Sequence, residues 1–263
     1  MIPRIVSYIK DEITFIERWL KYHSKIVPYY HIHIFDNKSS DGTQDILNYY
    51  KVNCGLNVYS HDDYIKKGEA VTNLIHKYTK QPSLFLPLDG DEFVCLYQNK
   101  QLITNHKLIK QYLNRLQPIE GKYRILGSLN SIPEKRYYDK PLDQIDKFNW
   151  TWTENDMSKK IYNSNSFHNT DLGFHRGTCF SKDIVKTDIV YLHYHDIGHD
   201  HYKTKCLKDM TGLGYDIDNK QLLDSLKPTT PGYHKLTAIK NIKNWSYKPT
   251  DTYDIKLETP LCI

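Results

Sequence analysis

The chain has 263 residues, of which 39% are hydrophobic and 25% charged, with a net charge of +5. That is long enough to bury the core of one large α/β domain or two small ones, and the balance excludes a disordered or fibrous chain. The positive charge comes from dispersed lysines without a dense Lys/Arg block, so no nucleic-acid track is expected; the lysines are a solvated surface or answer a small diphosphate-bearing molecule.

Cys54, Cys95, Cys179, Cys206 and Cys262 are an odd, scattered set without CxxC spacing, which argues against a disulfide framework or a zinc ribbon and suits a reducing compartment. The first residues, "MIPRIVSYIKDEITF", carry charge where a signal peptide needs its apolar stretch. No segment approaches the run of about 18 apolar residues that a membrane helix requires. The expectation is a soluble, cytoplasmic protein without a membrane span, or a domain of something larger.

In chain order, "IPRIVSYI" (2–9) predicts a strand, broken by Lys10-Asp11-Glu12. Ile13, Ile16, Leu20 and His23 have helical spacing. "YYHIHIFD" (29–36) alternates like a strand, and "NKSSDGT" follows as a turn. A helix is predicted from about Thr43 to Tyr50, capped by Ser40 or Asp41, then a strand at "LNVYS" (56–60). "KKGEAVTNLIHKY" places Ala70, Val71, Leu74, Ile75 and Tyr78 on one helical face. "SLFLPL" (83–88) is continuously apolar, as a strand buried on both faces should be. A further helix spans about 105–116. Past residue 118 the pattern blurs: β-like pieces at 122–130 and 186–195, and a loop-rich 131–172.

Alternating strands and helices predict a doubly wound, mostly parallel sheet flanked by helices, with a smaller loop-rich part. One domain over 1–263 is expected, with a ligand-binding half at 1–118 and an acceptor-side half at 119–263. Ligands of such sheets sit at the carboxyl ends of strands. The clusters Lys10–Glu12, Asp36–Asp41, Lys66–Gly68 and Asp89–Glu92 each follow a strand or its loop.

"FLPLDGDEFV" (85–94) sets Asp89, Asp91 and Glu92 within four positions after that apolar strand. Carboxylates so close repel one another, and a cation is the commonest relief. Val94 and Lys100 stand where an EF-hand loop needs Gly and Glu, so that site is excluded. Two carboxylates at i and i+2 suit one oxygen-loving ion, Mn²⁺ or Mg²⁺, that shares its remaining positions with waters and substrate phosphates.

"RIVSYIKDE", "DNKSSDGT", "KKGEAVTNLI" and "LFLPLDGDEF", in that order, resemble the GT-A glycosyltransferases, in particular the family-2-like branch with DNxSxDGT and DxDEF motifs; the resemblance covers roughly residues 3–97. It implies a nucleotide-sugar donor, UDP-linked, a glycan or glycoprotein acceptor, and a metal-binding DxD motif at Asp89 and Asp91. It also implies donor contacts near the first strand end, at Lys10 and Glu12, and at Asp36, whose carboxylate can accept from a uracil imide or a ribose hydroxyl. Lys10 or Lys67 can meet phosphate. Asn73 binds the nucleotide or caps a loop; Gly68 allows close backbone approach or is a turn glycine.

The second half carries "DLGFHRG" (171–177) and "YLHYHDIGHDHY" (191–202). GT-A enzymes often take a third metal ligand from a C-terminal histidine, which points to His193, with His175 and His195 next. Lys159 and Lys160 are candidates for the β-phosphate or ordinary surface lysines. A general base for the acceptor hydroxyl is sought at Asp156, ahead of Glu154 and Asp171, because Trp150 and Trp152 can raise a carboxyl pKa or stack on sugars. Two other classes remain open: a metal-dependent phosphoesterase or nucleotidyltransferase, and a sugar-nucleotide-binding module without turnover.

Overall fold

The computed structural model describes residues 1–131, 147–153, 158–195, 197–241 and 252–254. They divide into two compact units: residues up to Leu129 with Trp150–His193, and residues 130–149 with 194–254.

β1 (Ile2–Ile9) is buried over its last six residues. The turn after it enters α1 (Ile16–Ser24), whose Ile16, Trp19, Leu20 and His23 form its buried face. Tyr29–His31 is one turn of 3-10 helix, held by His31 N–H on the Pro28 carbonyl, so β2 (Ile32–Asp36) is shorter than the alternating sequence suggests. α2 (Thr43–Cys54) runs between two left-handed glycines, Gly42 (φ 98°) and Gly55 (φ 74°). β3 (Asn57–Ser60), α3 (Lys67–His76) and β4 (Ser83–Leu88) follow, and all six residues of β4 are buried. β5 (Glu92–Gln98) and β6 (Gln101–Ile103) make a hairpin; α4 (His106–Arg115) starts at Asn105, whose Oδ1 accepts from the Lys107 and Leu108 N–H.

The rest of the chain is richer in strands than its loop-like sequence predicts. It carries β7 (Lys122–Arg124), β8 (Gly127–Ser131), β9 (Lys147–Thr153), β10 (Lys160–Asn163), β11 (Phe167–Asn169), β12 (Thr178–Cys179), β13 (Ile184–Lys186) and β14 (Ile189–His193). Short strands with polar residues give weak periodicity, and their partners lie far away in sequence.

The central sheet of the first unit has seven strands in the order β13-β7-β10-β4-β1-β2-β3. β4, β1, β2 and β3 are parallel, so their carboxyl ends lie along one edge. β10 runs antiparallel to both β4 and β7, and β13 parallel to β7. This is a mixed α/β fold with a Rossmann-like, mostly parallel sheet. Val71, Leu74 and Ile75 of α3 bury against Val6, Tyr8, Phe35 and Phe85 of the strands. Each such side chain contributes about 1.5–3 kcal/mol of transfer free energy. β14 pairs antiparallel with β5 and sets His193 opposite Glu92.

The second unit contains α5 (His199–Gly212), α6 (Lys220–Ser225), α7 (Tyr233–Asn241) and β15 (Thr252–Asp254), the last paired antiparallel with the start of β9. Cys206, Met210 and Leu236 are buried, and Lys235 bridges to Asp209 at 2.8 Å. No helix among the described residues is long and apolar enough to cross a membrane.

Candidate active site

The turn after β1 and the turn after β2 lock into each other. Asp11, at φ 51°, donates its N–H to Ser39 Oγ and accepts from the Ser40 N–H at Oδ1. The Glu12 N–H donates to Thr43 Oγ1, and the Ile13 N–H to Asp41 Oδ2. Asp41 Oδ1 accepts from the Thr43 N–H, so Asp41 does cap the start of α2, although Gly42 is the capping backbone position. Asp36, expected to face the donor, spends Oδ1 on Ser39 and Oδ2 on Gln44 Nε2 at 2.8 Å. Lys10 Nζ donates to the Asn37 carbonyl at 3.2 Å. The DNKSSDGT segment is therefore first a hydrogen-bonded clasp, because short polar side chains satisfy backbone N–H groups that a tight turn leaves unpaired.

At the end of β4 the acidic turn meets two lysines. Lys67 Nζ lies 3.2 Å from Asp89 Oδ1, and Lys159 Nζ lies 2.6 Å from Asp89 Oδ2 and 2.6 Å from Glu92 Oε2. Glu92 Oε2 also accepts the Asp89 N–H at 2.8 Å, and Trp19 Nε1 donates to the Asp89 carbonyl at 3.1 Å. The side chains of Lys159 and Glu92 are each 5% exposed and that of Lys67 7%, while Asp89 keeps 37%. Buried charges need partners, and here each ammonium has a carboxylate. The Phe174 ring, fully buried and held at φ 61°, lies 4.4 Å from Lys67 Nζ and 5.8 Å from Lys159 Nζ. Burial pushes the Asp89 carboxyl up, but Lys159 and Lys67 outweigh it and hold it well below the usual carboxylate range. Burial pulls Lys159 down, and Asp89 and Glu92 override that and raise it.

The other expected residues fall in several places. At Gly68 an added Cβ would stand 2.8 Å from the Thr170 carbonyl oxygen, so the glycine lets α3 touch the 170–171 loop. Asn73 is exposed and lines a cavity of about 240 Å³ with Phe35, Tyr59 and His61, near the carboxyl ends of β2 and β3. Lys160 is buried on β10, donating to the Ser158 carbonyl. The His175 N–H donates to Asp171 Oδ1 at 2.7 Å, and burial, aided by Lys159, lowers the ring's pKa. Asp171 also accepts the Arg176 N–H, which makes it a loop cap. Trp150 meets Tyr97 edge-on at 5.1 Å. β14 ends at His193; His195 lies in the second unit, against Tyr202. Asp156 and Glu154 lie outside the described residues. Sequence reasoning grouped Glu92 with Asp89 and Asp91 but gave it no role in the cluster, and it missed Phe174, which nothing local marks.

An ion held by Asp89, Asp91 and His193 is not what this arrangement fits. Asp91 and His193 do meet, with Oδ1 and Nε2 3.3 Å apart, and His193 Nδ1 is 4.0 Å from Glu92 Oε1. Both oxygens of Asp89, however, are taken by ammonium groups. Among the described residues no three His, Cys, Asp or Glu side chains are grouped to hold a metal. A doubly charged ion on Asp89 would stand beside two positive groups already within hydrogen-bonding distance.

Fold and site together define an α/β chain whose central parallel strands end on a paired cluster of lysines and carboxylates. The sequence matches no family model and no curated protein. Among solved structures it is similar to that of S. aureus TarS residues 1–349, at TM-score 0.41 and 13% identity, covering 92% of this chain and 71% of that one. Against the same segment in complex with UDP the TM-score is 0.43, again at 13% identity, with 92% and 71% covered. Against a longer TarS structure it is 0.41 at 12% identity, and the chain spans 43% of that length.

Proposed function

We propose that this protein is a GT-A-type glycosyltransferase that moves a sugar from a nucleotide diphosphate donor, UDP-linked, to a hydroxyl of a glycan or glycoprotein. The observation that carries the reading is the ionic cluster at Asp89, placed at the carboxyl end of the central strand β4, where open parallel sheets receive their ligands. The four motifs that resemble this enzyme class supply the turns around it. The nucleoside takes the cavity lined by Phe35, Tyr59, His61 and Asn73.

In the reaction the bond between the anomeric carbon and the diphosphate oxygen breaks, and its electron pair leaves on that oxygen. The acceptor oxygen forms the new bond to the anomeric carbon, and its proton passes to a carboxylate, for which the sequence offers Asp156. The test is a panel of nucleotide sugars incubated with the protein and simple glycan acceptors. Release of nucleoside diphosphate together with a lengthened glycan is expected. Release of inorganic phosphate or pyrophosphate instead would identify a phosphoesterase or nucleotidyltransferase and overturn the reading.

A further inference from the structure

Resting on that reading, we infer that the donor's diphosphate is met by two lysines of the chain, Lys67 and Lys159, and that donor binding requires no divalent ion. Three observations combine. The two ammonium groups converge on one carboxylate, Asp89, and the Glu92 that Lys159 also meets and the Phe174 ring beside both lysines are buried. Both lysine side chains are already immobilised at 5% and 7% exposure, each with its ammonium near the Phe174 ring, so little rotamer freedom is left to lose when an anion arrives. Asp89 keeps 37% of its side chain accessible, so solvent reaches the cluster at the carboxylate that both ammonium groups hold.

The hydrogen-bond count agrees. An ammonium group has three donors. Among the described residues, Lys159 spends them on Asp89 and Glu92, and Lys67 on Asp89 alone. At least one N–H on each remains for a phosphate oxygen, and a charge-assisted bond of that kind is stronger than a neutral one. The two positive groups balance Asp89 and Glu92 before the ligand binds, and they stand beside the oxygen that gathers charge as the diphosphate leaves. A divalent ion would have to take Asp89 from both of them.

The experiment is a thermal-shift titration of the whole protein with UDP, in EDTA and in manganese, on the unaltered chain and on Lys159→Met and Lys67→Met. UDP is expected to raise the melting temperature equally in both conditions, and each substitution to abolish that rise while circular dichroism stays native. If Lys159→Met does not fold, Lys67→Met and the unaltered chain carry the test. A UDP shift that appears only with manganese, or that survives in a folded Lys67→Met or Lys159→Met protein, overturns the inference and leaves the transferase reading standing. The absence of any shift by UDP or other nucleoside diphosphates, with or without metal, overturns both.

Discussion

Asp89 and Asp41 are both held below the usual carboxylate range, for different reasons. At Asp89 the cause is two ammonium groups that overcome burial; at Asp41 burial is overcome by hydrogen bonds from Thr43 and the Ile13 N–H. A carboxyl depressed in the folded state contributes stability that is present above its ordinary pKa and lost as pH falls through the folded value. The melting temperature is therefore expected to stay level near neutrality and to drop below about pH 4. In Asp41→Asn that acid drop should be shallower; an identical slope in melting scans from pH 6 to 3 would refute the assignment. Lys159 has the opposite sign. Its raised pKa contributes stability below the ordinary lysine value of 10.5, lost as pH rises past it. Gly68 belongs to this scale too. The sequence left it between ligand approach and turn, but its neighbour is the Thr170 carbonyl, a hundred residues on and invisible to local pattern. Gly68→Ala should cost about 1–3 kcal/mol by overpacking, read as a lower urea midpoint.

Among the elements, α2 and the turn after β1 behave as one clasp. Thr43 is fully buried and its hydroxyl accepts the Glu12 N–H at 2.9 Å. Thr43→Val keeps the shape and removes the acceptor, which should cost about 1–3 kcal/mol in chemical denaturation, while Thr43→Ser should cost less. A smaller loss in Thr43→Val than in Thr43→Ser would show that the methyl group, not the hydroxyl, matters. The run of Asn, Ser, Asp and Gly was legible as a turn, since each residue type favours one. That its carboxylates turn inward to Ser39, Gln44, Thr43 and Ile13 was not legible. A turn motif has the same composition whether it binds a ligand or its own backbone.

On the scale of the molecule, the first 118 residues do not close their own sheet. β4 has β1 on one side and, on the other, β10 from residues 160–163, followed outward by β7 and β13. A fragment ending at residue 118 would leave "SLFLPL" as a bare apolar edge, the kind of strand that pairs with other chains. It is expected to aggregate or lack dispersed amide resonances, and a monomeric fragment with native-like spectra would contradict this. The parallel strands, their helices and the acids after the buried strand could be read from the residues alone, because period, β-branching and turn chemistry are local properties. The identity of the acids' partners could not. Lys159 stands seventy positions from Asp89, and nothing in its neighbourhood separates it from a surface lysine. It arrives there because β10 inserts antiparallel beside β4. Strand order and register are decided by long-range packing, and it is that packing which sets three lysine–carboxylate contacts at the turn where the sequence led to a cation.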